Sequence, residues 1–206
     1  LYTEVQEIKG AEGEWRIKTN EGMVFQSNYV IVATGYFDKA RQLGVPGEEL
    51  NTVSHYYDEP FAYSYTDVVI VGAGNSAIEA ALELYRHDVN VTIVHRGEDI
   101  KPTAKYWLVP DLRNRIKEGK INIRFNSHVT EITRDSIKLE TEGMDEELRA
   151  DFVLALIGYL PDASLLRKFG IELDPETLEP AFDPETYESN VPGMYLCGTV
   201  IAGVKT

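Results

Sequence analysis

From Asp67 to Val94 the chain reads as an apolar run, a glycine turn, an amphipathic stretch and a second apolar run. No other segment restricts the fold as far. Asp67-Val68-Val69-Ile70-Val71 is continuous enough to be a strand buried on both faces of a parallel sheet. Over Asn75–Arg86, the residues Ala77, Ile78, Ala81, Leu82 and Tyr85 share one helical face, and Glu79, Glu83 and Arg86 share another. Val89–Val94 follows at the spacing of a βαβ unit. Between the first strand and the helix stands Gly72-Ala73-Gly74-Asn75-Ser76-Ala77, a GxGxxA pattern. Glycine at 72 permits the tight turn, glycine at 74 lets the backbone approach a pyrophosphate, and Ala77 allows close helix–strand packing. The start of the helix offers unpaired N–H groups and a positive dipole end. Gly72, Gly74, Asn75, Ser76 and Ala77 are therefore the candidate phosphate-binding residues. The motif is weak alone and specific in this strand–turn–helix setting.

The end of the second strand bears on which dinucleotide is held. A carboxylate there would accept from a ribose 2′-hydroxyl. This chain has His95-Arg96-Gly97 instead, followed by Lys101 and Lys105. A guanidinium fork suits a phosphate dianion, so His95, Arg96 and Lys101 are assigned to the adenosine end, and NADPH is the expected nucleotide. The basic cluster stands in a chain of net charge −14. That overall charge opposes nucleic acid and anionic membrane surfaces as partners. No apolar run approaches the roughly 20 residues of a membrane span, and the opening Leu1-Tyr2-Thr3-Glu4 does not read as a signal peptide. It also lacks methionine, and both ends are expected to be cut from a longer chain. The single cysteine, Cys197, excludes an internal disulfide and fits a reducing cytoplasm. It is read as a small buried hydrophobe ending an apolar strand. No metal-ligand cluster and no catalytic side chain are identified.

Elsewhere, β-rich segments at Thr3–Ile8, Trp15–Thr19 and Met23–Ser27 form a meander closing on a buried strand, Tyr29–Ala33. A helix over Pro110–Glu118 and a strand over Ile121–Phe125 follow the βαβ unit. A second meander (His128–Thr133, Ser136–Thr141, Glu147–Arg149) leads to a buried strand at Phe152–Ile157. Pro161–Pro192 reads as irregular covering structure with one short helix near Ser164–Phe169, and no internal repeat of short period is evident. There is a coarse echo: each meander leads to a buried strand and then to a glycine, at Ala33-Thr34-Gly35-Tyr36 and at Leu156-Ile157-Gly158-Tyr159. Such an echo is expected of two similar dinucleotide domains, one interrupting the other. His55, in the aromatic connector Ser54-His55-Tyr56-Tyr57, has no acid partner identifiable from sequence.

Taken in order, Ala33-Thr34-Gly35, Gly72–Ala77 with His95-Arg96, Leu156-Ile157-Gly158 and Cys197-Gly198-Thr199 resemble the thioredoxin-reductase-like two-dinucleotide flavoproteins over essentially the whole chain. The resemblance implies an α/β fold in which a Rossmann-like, three-layer NADPH-binding domain (63–160) is inserted in a partial FAD-binding domain (1–50 and 161–206), with a connector at 51–62. It places Ala33, Thr34, Gly35, Gly198 and Thr199 at FAD, and Ile157 and Gly158 near the nicotinamide. Thioredoxin reductases carry a CxxC pair shortly before the NADPH glycine motif; here that region, Ser54–Pro60, holds no cysteine, and a dithiol mechanism is excluded. His55-Tyr56-Tyr57, Val94-His95-Arg96-Gly97 and the closing Cys197–Thr206 stretch are more similar to the bacillithiol disulfide reductase family. That family implies a cytoplasmic NADPH- and FAD-dependent reductase of a small-molecule disulfide, homo-oligomeric when intact, with this fragment alone inactive. Gly198-Thr199 departs from the Gly-Asp of most relatives, bringing a hydroxyl and no charge. A flavin monooxygenase, a ferredoxin–NADP reductase and a non-catalytic nucleotide-binding module are the competing expectations.

Overall fold

The computed structural model describes residues 2–203. In chain order it contains strands β1 (Val5–Lys9), β2 (Trp15–Thr19), β3 (Val24–Ser27), β4 (Val30–Val32), β5 (Lys39–Ala40), β6 (Val53–Ser54) and β7 (Asp67–Val71). Helix α1 (Asn75–Tyr85), β8 (Asn90–Val94), α2 (Val109–Lys117) and β9 (Ile121–Arg124) follow. The strands β10 (Ser127–Ile132), β11 (Ser136–Thr141), β12 (Met144–Arg149), β13 (Phe152–Ala155) and β14 (Tyr159–Leu160), helix α3 (Ala163–Lys168) and β15 (Met194–Leu196) come next, followed by a short 3-10 helix at Gly198–Ala202. Among the described residues no helix is long and apolar enough to cross a membrane.

The chain divides into two compact units, residues 40–158 and residues 1–39 with 159–206. The first is built on a five-stranded sheet of order β6-β13-β7-β8-β9, parallel throughout. Because strand side chains alternate, β7 sends Val68 and Ile70 to one face and Val69 and Val71 to the other. The first pair packs with Ile78, Ala81 and Leu84 of α1 and with Leu112 of α2. The second pair meets Ile132, Ile137 and Leu139 of the antiparallel meander β10-β11-β12. The result is three layers: helices, parallel sheet, meander. Ile70, Ile78, Leu84, Ile93, Leu112 and Leu154 have no exposure, and each contributes about 1.5–3 kcal/mol of apolar burial.

Residues 40–62 group with this unit. Leu43, Val45, Leu50 and Val53 pack on the meander side of the core, and β6 extends the parallel sheet through β13. Their apolar spacing is too short for periodicity to reveal which sheet they join.

The other unit has an antiparallel β1-β2-β3 sheet, a parallel β15-β4 pair and a core around Trp15, Val32, Leu166, Met194 and Leu196. Asp162 caps α3, its carboxylate accepting from Ser164 N (3.0 Å) and Leu165 N (3.2 Å). The expectation that Tyr29–Ala33 is buried fails: Ile31 is 69% exposed and Tyr29 54%. In β4, Val32 faces the core, and Ile31, which points the other way, is uncovered. Contrary to the expectation of no short-period repeat, one is present. Asp174-Pro175-Glu176-Thr177 recurs nine residues later as Asp183-Pro184-Glu185-Thr186. In each copy the Asp carboxylate accepts from the N–H groups two and three residues on, and a positive-φ residue follows, Leu178 or Tyr187. The supposedly irregular segment is thus two successive Asx-turn hairpins.

Gly47 gives a test of how residues 40–62 are joined to their unit. Its φ is +86°, and a Cβ there would fall 1.8 Å from the Ile132 carbonyl oxygen, beside the 2.8 Å bond from Ile132 N to Pro46 O. Gly47→Ala is expected to cost at least about 1–2 kcal/mol in denaturant unfolding; an unchanged midpoint would show that this contact does not hold the segment.

Candidate functional site

The turn after β7 is shaped by backbone proximity. Gly72 has φ +124°, and its N–H donates to Val94 O at 2.9 Å. A Cβ on it would lie 2.4 Å from Leu156 O, so position 72 excludes a side chain twice over. Ala77, the last motif residue, is fully buried, and its Cβ lies 3.7 Å from that same point. Gly74 is different. Its backbone is extended (φ −87°, ψ −177°), and a Cβ there would meet nothing within 4 Å. Neither conformation nor packing within the chain requires glycine at 74, and the open approach is what a pyrophosphate needs. Gly74 also begins α1 with no side-chain cap, and the first intrahelical donor is Ile78 N to Gly74 O at 3.0 Å. The N–H groups of Asn75, Ser76 and Ala77 precede it, a donor set suited to an anion.

Three adjacent parallel strands, β13, β7 and β8, end side by side. Their carboxyl ends bring together Ile157-Gly158, the Gly72–Ala77 turn and His95-Arg96. Gly158 has φ +102°, and a Cβ there would be 3.7 Å from Arg41 Nε. His95 is 7% exposed. Its backbone is fixed on both sides, His95 N donating to Arg124 O (2.8 Å) and its carbonyl accepting from Ser127 N (3.1 Å). Its ring stands edge-on to Phe125 and over Gly97, where a Cβ would come within 2.8 Å of Nε2. Burial, then the charges of Lys101 and Arg96, hold the imidazole below its ordinary pKa, against an opposing hydrogen bond with the Asp99 backbone. His95 is therefore neutral at pH 7, a polar wall rather than a third cation.

Arg96 and Lys101 are exposed. Among the described residues neither forms an ion pair with a carboxylate, whereas Lys105 pairs with Glu79 (2.7 Å) and Arg113 with Asp99 (2.8 Å). Asn75, assigned from sequence to the pyrophosphate, has its Oδ1 committed: it accepts from Lys105 N at 2.7 Å. The donor is an N–H, so the acceptor is the amide oxygen, leaving Nδ2 and the backbone N–H as the groups able to face a phosphate.

In the other unit, the second candidate group also comes together. Gly35 has φ +69°, and a Cβ there would sit 3.5 Å from Thr199 Oγ1. Ala33, Thr34, Gly198 and Thr199 are exposed at the ends of β4 and β15. Cys197 N still donates to Val32 O at 3.0 Å, but the residue is exposed, which corrects the buried reading: the strand itself ends at Leu196. Val204, Lys205 and Thr206, part of the closing motif, lie outside the described residues. Sequence reading also missed a partner for His55. Its Nε2 lies 3.4 Å from Glu48 Oε1, and the Glu48 carboxylate also accepts from Leu43 N (2.6 Å) and Gly44 N (2.7 Å). Those two backbone donors make the pair a brace for the turn at 43–48.

A sequence model described as pyridine nucleotide-disulphide oxidoreductase matches residues 1–198. Bacilliredoxin reductase of Bacillus subtilis is 39% identical over 181 residues, covering 87% of this chain and 56% of the relative. A solved bacillithiol disulfide reductase from Bacillus cereus superposes with a TM-score of 0.92 at 34% identity, covering 98% of this chain and 64% of that one. The thioredoxin reductase of T. acidophilum gives a TM-score of 0.79 at 28% identity, over 98% of this chain and 66% of that one. The chain thus spans little more than half the length of the Bacillus subtilis protein.

Two outcomes follow from the turn and from His95. Gly72→Ala is expected to lower stability by more than about 1–2 kcal/mol, because it meets both a positive φ and a carbonyl. Gly74→Ala is expected to cost less, about 0.5–1 kcal/mol, because it only exchanges a tolerated N-cap glycine for the less suited alanine. Parallel denaturant curves check this, and equal losses would mean that the two glycines share one structural role. For His95, the unfolded chain holds the ring proton to a higher pH than the folded chain does. Acidification through the ordinary histidine range therefore favours unfolding, and His95→Asn should show a shallower loss of melting temperature between pH 7.5 and 5 than the parent.

Proposed function

The chain belongs to the pyridine nucleotide-disulphide oxidoreductase family, and from that premise we propose that it is part of an NADPH-dependent FAD flavoprotein that reduces a low-molecular-weight thiol disulfide. The Bacillus relatives, a bacilliredoxin reductase and a bacillithiol disulfide reductase, support the substrate class. The flavin, when bound, supplies the relay of the electron pair from nicotinamide to disulfide. The chain's own part is positioning. The uncapped start of α1 and the open Gly74 hold the pyrophosphate, with Gly72 and Ala77 shaping the turn. Asn75 and Ser76 offer N–H donors. His95, Arg96 and Lys101 hold the adenosine end, and Ile157-Gly158 border the nicotinamide. In the other unit, Ala33, Thr34, Gly35, Gly198 and Thr199 line the flavin. No catalytic group is assigned to this chain.

The observation that carries the nucleotide assignment is the pair of cations, Arg96 and Lys101, left without carboxylate partners among the described residues of a chain with 34 acidic and 20 basic residues. What matters is their place: both follow the carboxyl end of β8, where a carboxylate would select the unphosphorylated ribose, and two cations there suit the 2′-phosphate. Arg96→Ala should weaken NADPH roughly ten- to a hundred-fold, the worth of a charge-assisted hydrogen bond of about 1.5–3 kcal/mol, and leave NADH nearly unchanged. Titration of both nucleotides at two salt concentrations reads this directly. Equal losses would remove the NADPH assignment. For the acceptor, the full-length protein should oxidise NADPH faster with a small disulfide than with ferredoxin or with oxygen alone; the reverse order would favour the other flavoenzyme classes.

A further inference from the structure

Asn75 reaches away from the phosphate turn. Its Oδ1 accepts the backbone N–H of Lys105, thirty residues on, at 2.7 Å. One helical turn along the same face of α1, Glu79 Oε1 holds Lys105 Nζ at 2.7 Å, as side chains four residues apart on a helix can. The loop between β8 and α2 is therefore tied to the first two turns of α1 at a single residue by two bonds. The loop is knit internally on either side of that residue, Ala104 N donating to Lys101 O and Leu108 N to Lys105 O, each at 3.0 Å. Fixing Lys105 thus fixes the turn that starts at Lys101. The two bonds are unequal. The Lys105–Glu79 ion pair is 40% and 47% exposed, and such pairs contribute little, whereas Asn75 and Lys105 are both half-buried as residues and their bond fixes backbone.

We propose that Asn75 is a positioning residue for nucleotide selectivity: it latches the Lys101-bearing loop to the pyrophosphate turn, so that the group reading the 2′-phosphate is registered against the group holding the pyrophosphate. This deepens the NADPH reading and rests on it. A motif residue serving only the pyrophosphate would affect every dinucleotide alike. A latch affects the phosphorylated ribose selectively.

The loop carries its own reporter. Of the two tryptophans, Trp15 is buried in the other unit, while Trp107 is 57% exposed with Lys105 Nζ 5.8 Å from its ring centre. Adenosine 2′,5′-bisphosphate and 5′-AMP, which differ by the 2′-phosphate and absorb little at 295 nm, are the probes, titrated by Trp107 emission against the parent chain, Asn75→Ala and Asn75→Asp. Asn75→Ala removes the acceptor; the preference for the bisphosphate should fall about three- to tenfold, the range of one net hydrogen bond, and Trp107 emission should change before any ligand is added. Asn75→Asp keeps an acceptor for Lys105 N and adds a negative charge beside the pyrophosphate. It should weaken both probes while keeping their ratio near that of the parent. If Asn75→Ala weakens both probes equally and preserves the preference, the latch is overturned and the NADPH reading stands. If the parent chain itself shows no preference, the NADPH reading falls and the proposed selectivity role with it.

Discussion

The carbonyl oxygen of Leu156 occupies the space a side chain at position 72 would need, 2.4 Å from the point where its Cβ would be. That approach brings the ends of β7 and β13 close enough for both chains to turn out of the sheet at the same edge. Gly72 turns into α1, Leu156 continues through Ile157 to Gly158, and β8 delivers His95 and Arg96 on the other side. Ligand crevices of open parallel sheets lie at the carboxyl ends of such neighbouring strands. Here the crevice is set by a backbone contact that admits no Cβ, and each candidate residue of that unit is placed relative to it.

The same sheet shows why the two faces of β7 cannot be exchanged. Val68 and Ile70 fit against α1, whose small residues Ala77, Ala80 and Ala81 let the helix come close. Val69 and Val71 meet larger side chains from the meander, Ile137 and Leu139 among them. A register slip of one residue would reverse the faces and move Gly72 away from Leu156. The core and the site are thus specified by one alignment, and the phosphate turn inherits its rigidity from the sheet's packing.

Local patterns were legible in the sequence because a few consecutive residues determine them. The strand–glycine–helix run at 67–86, the basic residues after β8 and both meanders follow from alternation, spacing and turn chemistry within short windows. What was not legible depends on contacts between distant residues. That the Asn75 amide oxygen is taken by Lys105 N emerges only when the two are placed together. Glu48 has no reason to be matched with His55 until the 43–48 turn is folded. Ile31 looks like a core residue because apolar runs do not state how many faces are covered; Val32 takes the core face of β4 and Ile31, on the opposite face, is exposed. The Asp-Pro-Glu-Thr repeat is another kind of miss: its signal was present in full, in turn-forming residues at a fixed interval, and only its brevity hid it.

Net charge and site charge operate at separate length scales in this chain. At −14 the molecule as a whole repels a polyanionic nucleotide, yet surface charges more than about 8 Å away are largely screened at physiological ionic strength. What a bound phosphate senses is the nearby set: the α1 dipole and its free N–H groups, Arg96 and Lys101. The neutral state of His95 belongs to that set. Buried beside two cations, a protonated imidazole would add a third charge at the cost of its own desolvation. Held neutral, it keeps the strand end packed against Phe125 and Gly97 and leaves selectivity to groups that carry their charge at every physiological pH. On the proposed reading, recognition of a phosphorylated ribose depends on where a loop is fastened rather than on the overall field, and that fastening begins inside the glycine motif itself.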